Sequence, residues 1–203
     1  MNIVIIGATG TIGSAVANAF GEEHHVIRVG LTNGDYQMDI NDEASIKQCL
    51  ALIKTDHGSI QALISTTGKA AFNEFSKLSS EDWQLGISSK MMGQINLVRF
   101  AKDYLAHGAA ITLTTGVLND EPIAIGVSAA TMNGAINSFV EAVAPVLENN
   151  MRINCVSPTV LEESMHIYEK FFPGFVPVAA KKVAQAYLRS TLGIANGQIM
   201  RVS

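Results

Sequence analysis

The chain has 203 residues, with 14 Lys+Arg against 18 Asp+Glu, a formal net charge of −4, 48% hydrophobic and 16% charged residues. That length suits one domain around one core, and so apolar a chain with so little charge is not a disordered one. The mildly acidic balance gives no general electrostatic reason to bind nucleic acid or an anionic membrane, and no apolar run approaches the roughly 18 residues of a membrane span.

Met1–Ile6 is short, lacks a basic flank and runs straight into glycine, so it does not read as a signal peptide, and a cytoplasmic protein is expected. Six β-branched runs predict strands at Asn2–Ile6, Val26–Val29, Ala62–Thr66, Ala110–Thr114, Ile153–Val156 and Gln198–Val202. Runs such as Ile3-Val4-Ile5-Ile6 are apolar at every position, the pattern of strands covered on both faces. The first strand ends in Gly7-Ala8-Thr9-Gly10-Thr11-Ile12-Gly13, followed by the helical run Ser14–Phe20. Glycines there allow a tight turn, close approach of backbone to a pyrophosphate, and close helix–strand packing. The helix N-terminus adds free N–H groups and a positive dipole end. The segment therefore predicts a dinucleotide cradle, with Gly7, Thr9, Gly10, Thr11, Ile12 and Gly13 around the phosphates; a purely structural turn is the alternative.

The second strand exits through Gly30-Leu31-Thr32-Asn33, with neither the acid that takes the ribose hydroxyls of NAD nor an Arg for the phosphate of NADP. Small groups such as Thr32 tolerate a 2′-phosphate, which tilts the choice between NADP and NAD slightly to NADP. Asn41, followed by Asp42 and Glu43, reads as a helix N-cap leading into Ile46, Leu50 and Ile53, and Ser79-Ser80-Glu81-Asp82 has capping-box spacing ahead of Trp83. The two cysteines, Cys49 and Cys155, sit in apolar patterns without CxxC spacing, so neither a metal site nor a disulfide framework is expected. Leu161–Val178, with Pro173, Gly174, Pro177 and several aromatics, reads as an excursion from the domain. Strand–helix alternation predicts right-handed βαβ units in an α/β fold: a Rossmann-type doubly wound parallel sheet with helices on both faces, one domain over 1–203.

Taken in this order, the residues resemble the short-chain dehydrogenase/reductase family. Gly7, Gly10 and Gly13 resemble its cofactor glycines, and Asp39, followed by Ile40, stands where the family has an aspartate near the adenine. Ser65-Thr66-Thr67-Gly68 stands for Asn-Asn-Ala-Gly, and Thr114-Thr115 for the paired serines. Arg152–Pro158 is similar to the strand whose following turn, here Pro158-Thr159-Val160, lies against the nicotinamide. The resemblance implies an NAD(P) cofactor, a small carbonyl or alcohol substrate, a substrate loop at 161–178 and a homodimer or homotetramer. The small residues within Ser128–Leu147 fit such association, or a helix lying tightly on the sheet, and Pro145 is expected to interrupt that helix.

The family's reaction uses a serine that polarises the carbonyl, a tyrosine that carries the proton and a lysine four residues beyond it. Twelve residues past Thr115 stands Val127, and four further on Thr131, so the pair is absent and the family mechanism cannot be carried over. At the family's helical asparagine stands Lys90, located by Gly93, on a face with Trp83, Ile87, Gln94, Leu97 and Ala101. It is either a lysine snorkelling to water or a desolvated amine aimed into the cleft. Thr115 keeps a hydroxyl and either polarises a carbonyl or caps local backbone. In the substrate loop Tyr168 or His166 offers a replacement proton donor, and Phe171, Phe172 and Phe175 an apolar wall or simple packing. Two functions follow: an oxidoreductase whose relay uses Thr115, Lys90 and Tyr168, or a dinucleotide-binding protein without turnover, such as a redox sensor.

Overall fold

The computed structural model describes Met1–Ser203. The apolar run of β1 (Asn2–Ile6) divides its side chains between two cores. Val4 and Ile6 face a cluster with Ile46, Leu50, Ile53, Leu97 and Ile136, while Ile3 and Ile5 face Val16, Phe20, Val183 and Tyr187. A strand with period-two side chains and apolar groups at every position must have helices on both sides. The first cluster lies under α2 (Glu43–His57), α4 (Gln94–Ala101) and α5 (Val127–Val143), and the second under α1 (Thr11–Ala19) and α7 (Ala180–Leu192).

The remaining strands are β2 (His25–Gly30), β3 (Tyr36–Gln37), β4 (Ile60–Ser65), β5 (Leu105–Thr114), β6 (Arg152–Pro158) and β7 (Ile199–Val202). All pair in parallel, in the order β3-β2-β1-β4-β5-β6-β7. This is the doubly wound sheet expected from the sequence. The order reverses beside β1, which is flanked by β2 and β4, and ligands of such sheets bind outside the carboxyl ends of the strands at that point.

Several boundaries differ from expectation. The N-cap of α2 is Asp42, whose Oδ1 accepts from the Ala44 amide at 2.9 Å, whereas Asn41 turns back to Asp39. The capping box ahead of α3 (Ser80–Leu85) forms as expected between Ser79 and Asp82. A π-helical stretch, Gly86–Gly93, then joins α3 to α4. Pro145 lies in a 3-10 turn, Ala144–Val146, directly after α5. The excursion holds one short α-helix, α6 (Met165–Tyr168), between the 3-10 turns Glu162–Ser164 and Glu169–Phe171, and is pinched shut where the Glu162 amide donates to the Val178 carbonyl and the Val178 amide to the Val160 carbonyl, both at 3.0 Å. No helix is long and apolar enough to cross a membrane.

Candidate cofactor and active site

Packing dictates two of the three turn glycines. Gly7 has φ +85°, and a Cβ there would lie 2.9 Å from Thr66 Oγ1. A Cβ on Gly13 would lie 2.1 Å from the Gly7 carbonyl oxygen. Gly10 is different: its Cβ would meet only that oxygen, at an ordinary 3.5 Å, so nothing in the chain itself excludes a side chain. Gly10 is also the N-cap of α1 and gives it no side-chain cap. The first helical bond runs from the Ser14 amide to the Gly10 carbonyl, so the amides of Thr11, Ile12 and Gly13 lie ahead of it. An open side above uncapped amides fits an anionic diphosphate. Thr9 is exposed on the same turn, and Thr66 Oγ1 braces it from beneath, 3.1 Å from the carbonyl oxygens of both Ile6 and Gly7.

The turn separates two hollows. One is lined by Gly7, Gly30, Leu31, Asp39, Ile40 and Thr67, with Lys69 at its edge. Asp39 is fixed there: its Oδ1 accepts from the amide and the side chain of Asn41, at 2.9 and 2.8 Å, and its amide donates to Ser45 Oγ. Thr32 is exposed and does not line this hollow; its carbonyl accepts from Gln37 Nε2. Ser65 is fully buried below the floor, where its carbonyl accepts from Thr114 Oγ1, so it supports the site without reaching it.

The second hollow is a cavity of about 240 Å³. It runs from Ile12 past Gly68, Lys90, Thr115 and Asn133 to the Pro158-Thr159-Val160 turn, with Tyr168 above. Lys90 sits in the widened π turn, and Gln94 fixes that turn to the sheet. The Gln94 Nε2 donates to the carbonyls of Lys90 (3.2 Å) and Thr114 (2.9 Å), while its Oε1 accepts from the Thr114 amide. Gly68, at φ +120°, presses on the Lys90 Cα so closely that a Cβ would lie 2.9 Å from it. The Lys90 ammonium lines the cleft without a salt bridge or hydrogen bond. Burial pulls its pKa well below the usual lysine range, opposed only by the neighbouring Cys155 sulfur. Lys90 thus lines the cleft as a half-buried side chain.

Thr115 reaches the cavity but spends its hydroxyl in the core. Its Oγ1 lies 3.1 Å from Asn137 Oδ1, to which it donates, and 3.2 Å from Cys155 Sγ. Burial pushes the Cys155 thiol up to about 12, so it is neutral at physiological pH. Tyr168 packs edge-on to Phe172, with ring centroids 6.5 Å apart, and near Phe72 at 6.2 Å, and its hydroxyl has no partner in the chain. His166 is exposed and does not line the cavity. Phe172 lines it, whereas Phe171 and Phe175 pack against the cluster of Leu118, Ile123 and Val160, of which Leu118 and Val160 belong to the cavity wall.

Counting along the chain misplaces the α5 pair. Thr131 is exposed and its Oγ1 donates back to the Val127 carbonyl at 2.9 Å; neither residue lines the cavity. The two that do are Ala129 and Asn133, at the same four-residue spacing but two positions on. The irregular segment between β5 and α5 sets the helix phase, and a residue count through it cannot. The chemistry stays short of a proton carrier, since alanine has none and an amide is neutral. Asn133 is buried; its Nδ2 donates to the Gly116 carbonyl at 3.1 Å, and its Oδ1 is buried with no partner at all. The signal that could have found it is an amide sharing one face of α5 with Ala129, Ile136 and Val140.

A family model described as enoyl-(acyl carrier protein) reductase matches residues 15–196. The chain belongs to the short-chain dehydrogenase/reductase family. The match begins just past the glycine turn and ends shortly before β7. The protein lin1944 of Listeria innocua is 42% identical, with full coverage of both chains and a TM-score of 0.95. A small-chain dehydrogenase solved in complex with NADPH is 24% identical over 100% of this chain and 96% of that one, with a TM-score of 0.85. Among curated proteins, 2,3-dihydro-2,3-dihydroxybenzoate dehydrogenase of Bacillus subtilis is 27% identical over 137 residues, which are 64% of this chain and 51% of the relative. The chain spans about half the length of the curated relatives it matches.

Proposed function

We propose that this short-chain dehydrogenase/reductase is an NAD(P)-dependent oxidoreductase interconverting a small carbonyl compound and its alcohol. One observation carries the reading: the Asp39 hollow, the open amides at Gly10–Gly13 and the Lys90 cavity adjoin one glycine turn. A dinucleotide laid across it rests its adenosine by Asp39, Ile40 and Thr67, its diphosphate over the α1 amides, and its nicotinamide by Ile12, Gly68 and Pro158-Thr159-Val160. The missing acid at the β2 exit and the nearby Lys69 support NADP over NAD, as does the NADPH complex of the structural relative.

A reduced nicotinamide bound there supplies a hydride to the carbonyl carbon. Lys90 gives a proton from its ammonium to the carbonyl oxygen, leaving a neutral amine that takes a proton back from water. A lysine whose pKa is lowered by burial suits this exchange better than an ordinary one. Tyr168 covers the cavity and is the second candidate donor. Thr115 orients the oxygen only if its hydroxyl turns away from Asn137. Phe72, Leu118, Val160 and Phe172 favour an apolar substituent on the carbonyl.

The committed Thr115 hydroxyl and the alanine at position 129 favour a second reading, a dinucleotide-binding protein without turnover. Thermal-shift titration with the four nicotinamide nucleotides, followed by NADPH oxidation over a panel of apolar aldehydes and ketones, separates them. Stabilisation with turnover supports the enzyme, stabilisation without turnover the second reading, and four unmoved melting curves overturn both. A shallow apolar hollow between α4 and α5, lined by Val98, Phe100, Phe139, Val143 and Leu147, together with Gly134 opening onto empty space, supports the homo-oligomer, which light scattering tests.

A further inference from the structure

Lys90 is the only formally charged residue in the wall of the cavity, and no Asp or Glu lines it. The ionisable groups that face it from neighbouring elements are the neutral Cys155 thiol of β6 and the Tyr168 phenol of α6. From α5 come only Ala129 and Asn133, and from the β4 exit Gly68, with Lys69 belonging to the adenosine hollow. The positive charge of Lys90 thus has no counter-ion on any side.

Resting on the dinucleotide reading above, we propose that Lys90 makes this site selective for the reduced over the oxidised nicotinamide nucleotide, loading the protein for reduction of its substrate. The oxidised ring carries a positive charge, the reduced ring carries none, and the two are close in shape. An unpaired ammonium in a cavity with few competing dipoles repels the first and is indifferent to the second. A wall carboxylate would cancel the repulsion, and none is present. The Asn133 carboxamide supplies a dipole, not a charge, and its Nδ2 is already spent on the Gly116 carbonyl. Selectivity is set by charge rather than shape, so it titrates. Deprotonating the amine removes the repelling charge, and binding of the oxidised form tightens as pH rises through the lowered pKa of Lys90 while binding of the reduced form stays level.

Calorimetric titration of the full chain with NADPH and with NADP⁺, from about pH 6 to about pH 10, tests this. At the acid end, where Lys90 carries its proton, the oxidised form is expected to bind about tenfold or more weakly. Lys90→Met keeps the stem that Gly68 packs against, and it should bring the two affinities together by tightening the oxidised form alone; Lys90→Arg should keep them apart. Asn133→Asp adds a carboxylate to the same wall and should narrow the ratio with the lysine in place, so the test survives a misfolded Lys90 variant. If both forms bind with a ratio unmoved by pH, Lys90→Met and Asn133→Asp, the selectivity proposal is overturned and the cofactor reading stands. If neither form binds the unaltered chain, the cofactor reading falls and takes this proposal with it.

Discussion

The two sides of the glycine turn are built by different rules. On the phosphate side, close approach to the main chain decides: a Cβ on Gly7 would crowd Thr66, meeting its Oγ1 at 2.9 Å and its backbone at 3.1 Å, and one on Gly13 would lie 2.1 Å from the Gly7 carbonyl oxygen. On the catalytic side, side chains decide: Lys90, Thr115, Ala129 and Asn133 line the cavity. A scaffold held by main-chain packing can keep its cradle while the chemistry above it drifts, because function belongs to the site and not to the fold. The contrast breaks most sharply at glycine. Gly13→Ala should cost about 3 kcal/mol or more in denaturant unfolding, with loss of nucleotide binding, because the clash is with backbone that cannot swing aside. Gly10→Ala should change stability by no more than about 0.5 kcal/mol and still weaken nucleotide binding about tenfold or more, since its Cβ fills space the chain itself does not use. Equal losses of stability in the two variants would erase the distinction.

A smaller effect is expected at Lys90, with opposite signs for function and stability. Lys90→Met should lower any carbonyl-reducing turnover by about 10²–10⁴, the usual cost of a missing proton donor. Stability should not fall, because the variant removes an unpaired, desolvated charge while keeping the stem. The pH dependence carries the same sign. The amine's folded pKa lies below its ordinary 10.5, so between the two values the unfolded chain holds more protons than the folded one. Unfolding free energy should therefore climb as pH rises from the lowered pKa toward 10.5 in the unaltered chain, and this component should vanish in Lys90→Met. Parallel pH profiles would mean that the ammonium is solvated.

The legible parts of the sequence are those where one pattern has one physical meaning. Ile3-Val4-Ile5-Ile6 is apolar at both periods and cannot avoid a two-faced core, and Gly7–Gly13 announces its turn because packing fixes two of its glycines. Legibility fails where local pattern and tertiary role part company. β3 is only Tyr36–Gln37, paired with Val29 and Gly30, too short to carry a period. The first residues of β5 include Gly108 at φ +74°, which conceals a strand beginning at Leu105. Asn133 was invisible for a deeper reason: the phase of α5 is set after an irregular connection, so Val127 and Thr131 match the spacing and the wrong side of the helix. A regular helix puts Lys90 on one face with Trp83, Ile87, Leu97 and Ala101, whereas Gly86–Gly93 is π-wound and Lys90 lines the cleft.

An exposed tie on the catalytic side sharpens the comparison from the other direction. The loop after β5, which carries Val117 and Leu118 into the cavity wall, is fastened to β7 by the Arg201 guanidinium on Asp120, with Nε to Oδ2 at 2.6 Å and Nη2 to Oδ1 at 3.1 Å. The pair sits largely in water, with the Arg201 side chain 60% exposed, and exposed pairs contribute about 1 kcal/mol at most. Arg201 lowers the Asp120 pKa, so whatever the pair contributes is present at neutral pH and is lost as pH falls through that lowered value. Asp120→Asn should thus cost under about 1 kcal/mol near neutrality, and nothing once both chains are measured below the Asp120 titration. Nucleotide affinity should be unchanged, because the cradle lies across the turn from this loop. If affinity falls with it, the two sides are mechanically coupled, and the backbone-built half depends on the side-chain-built half after all.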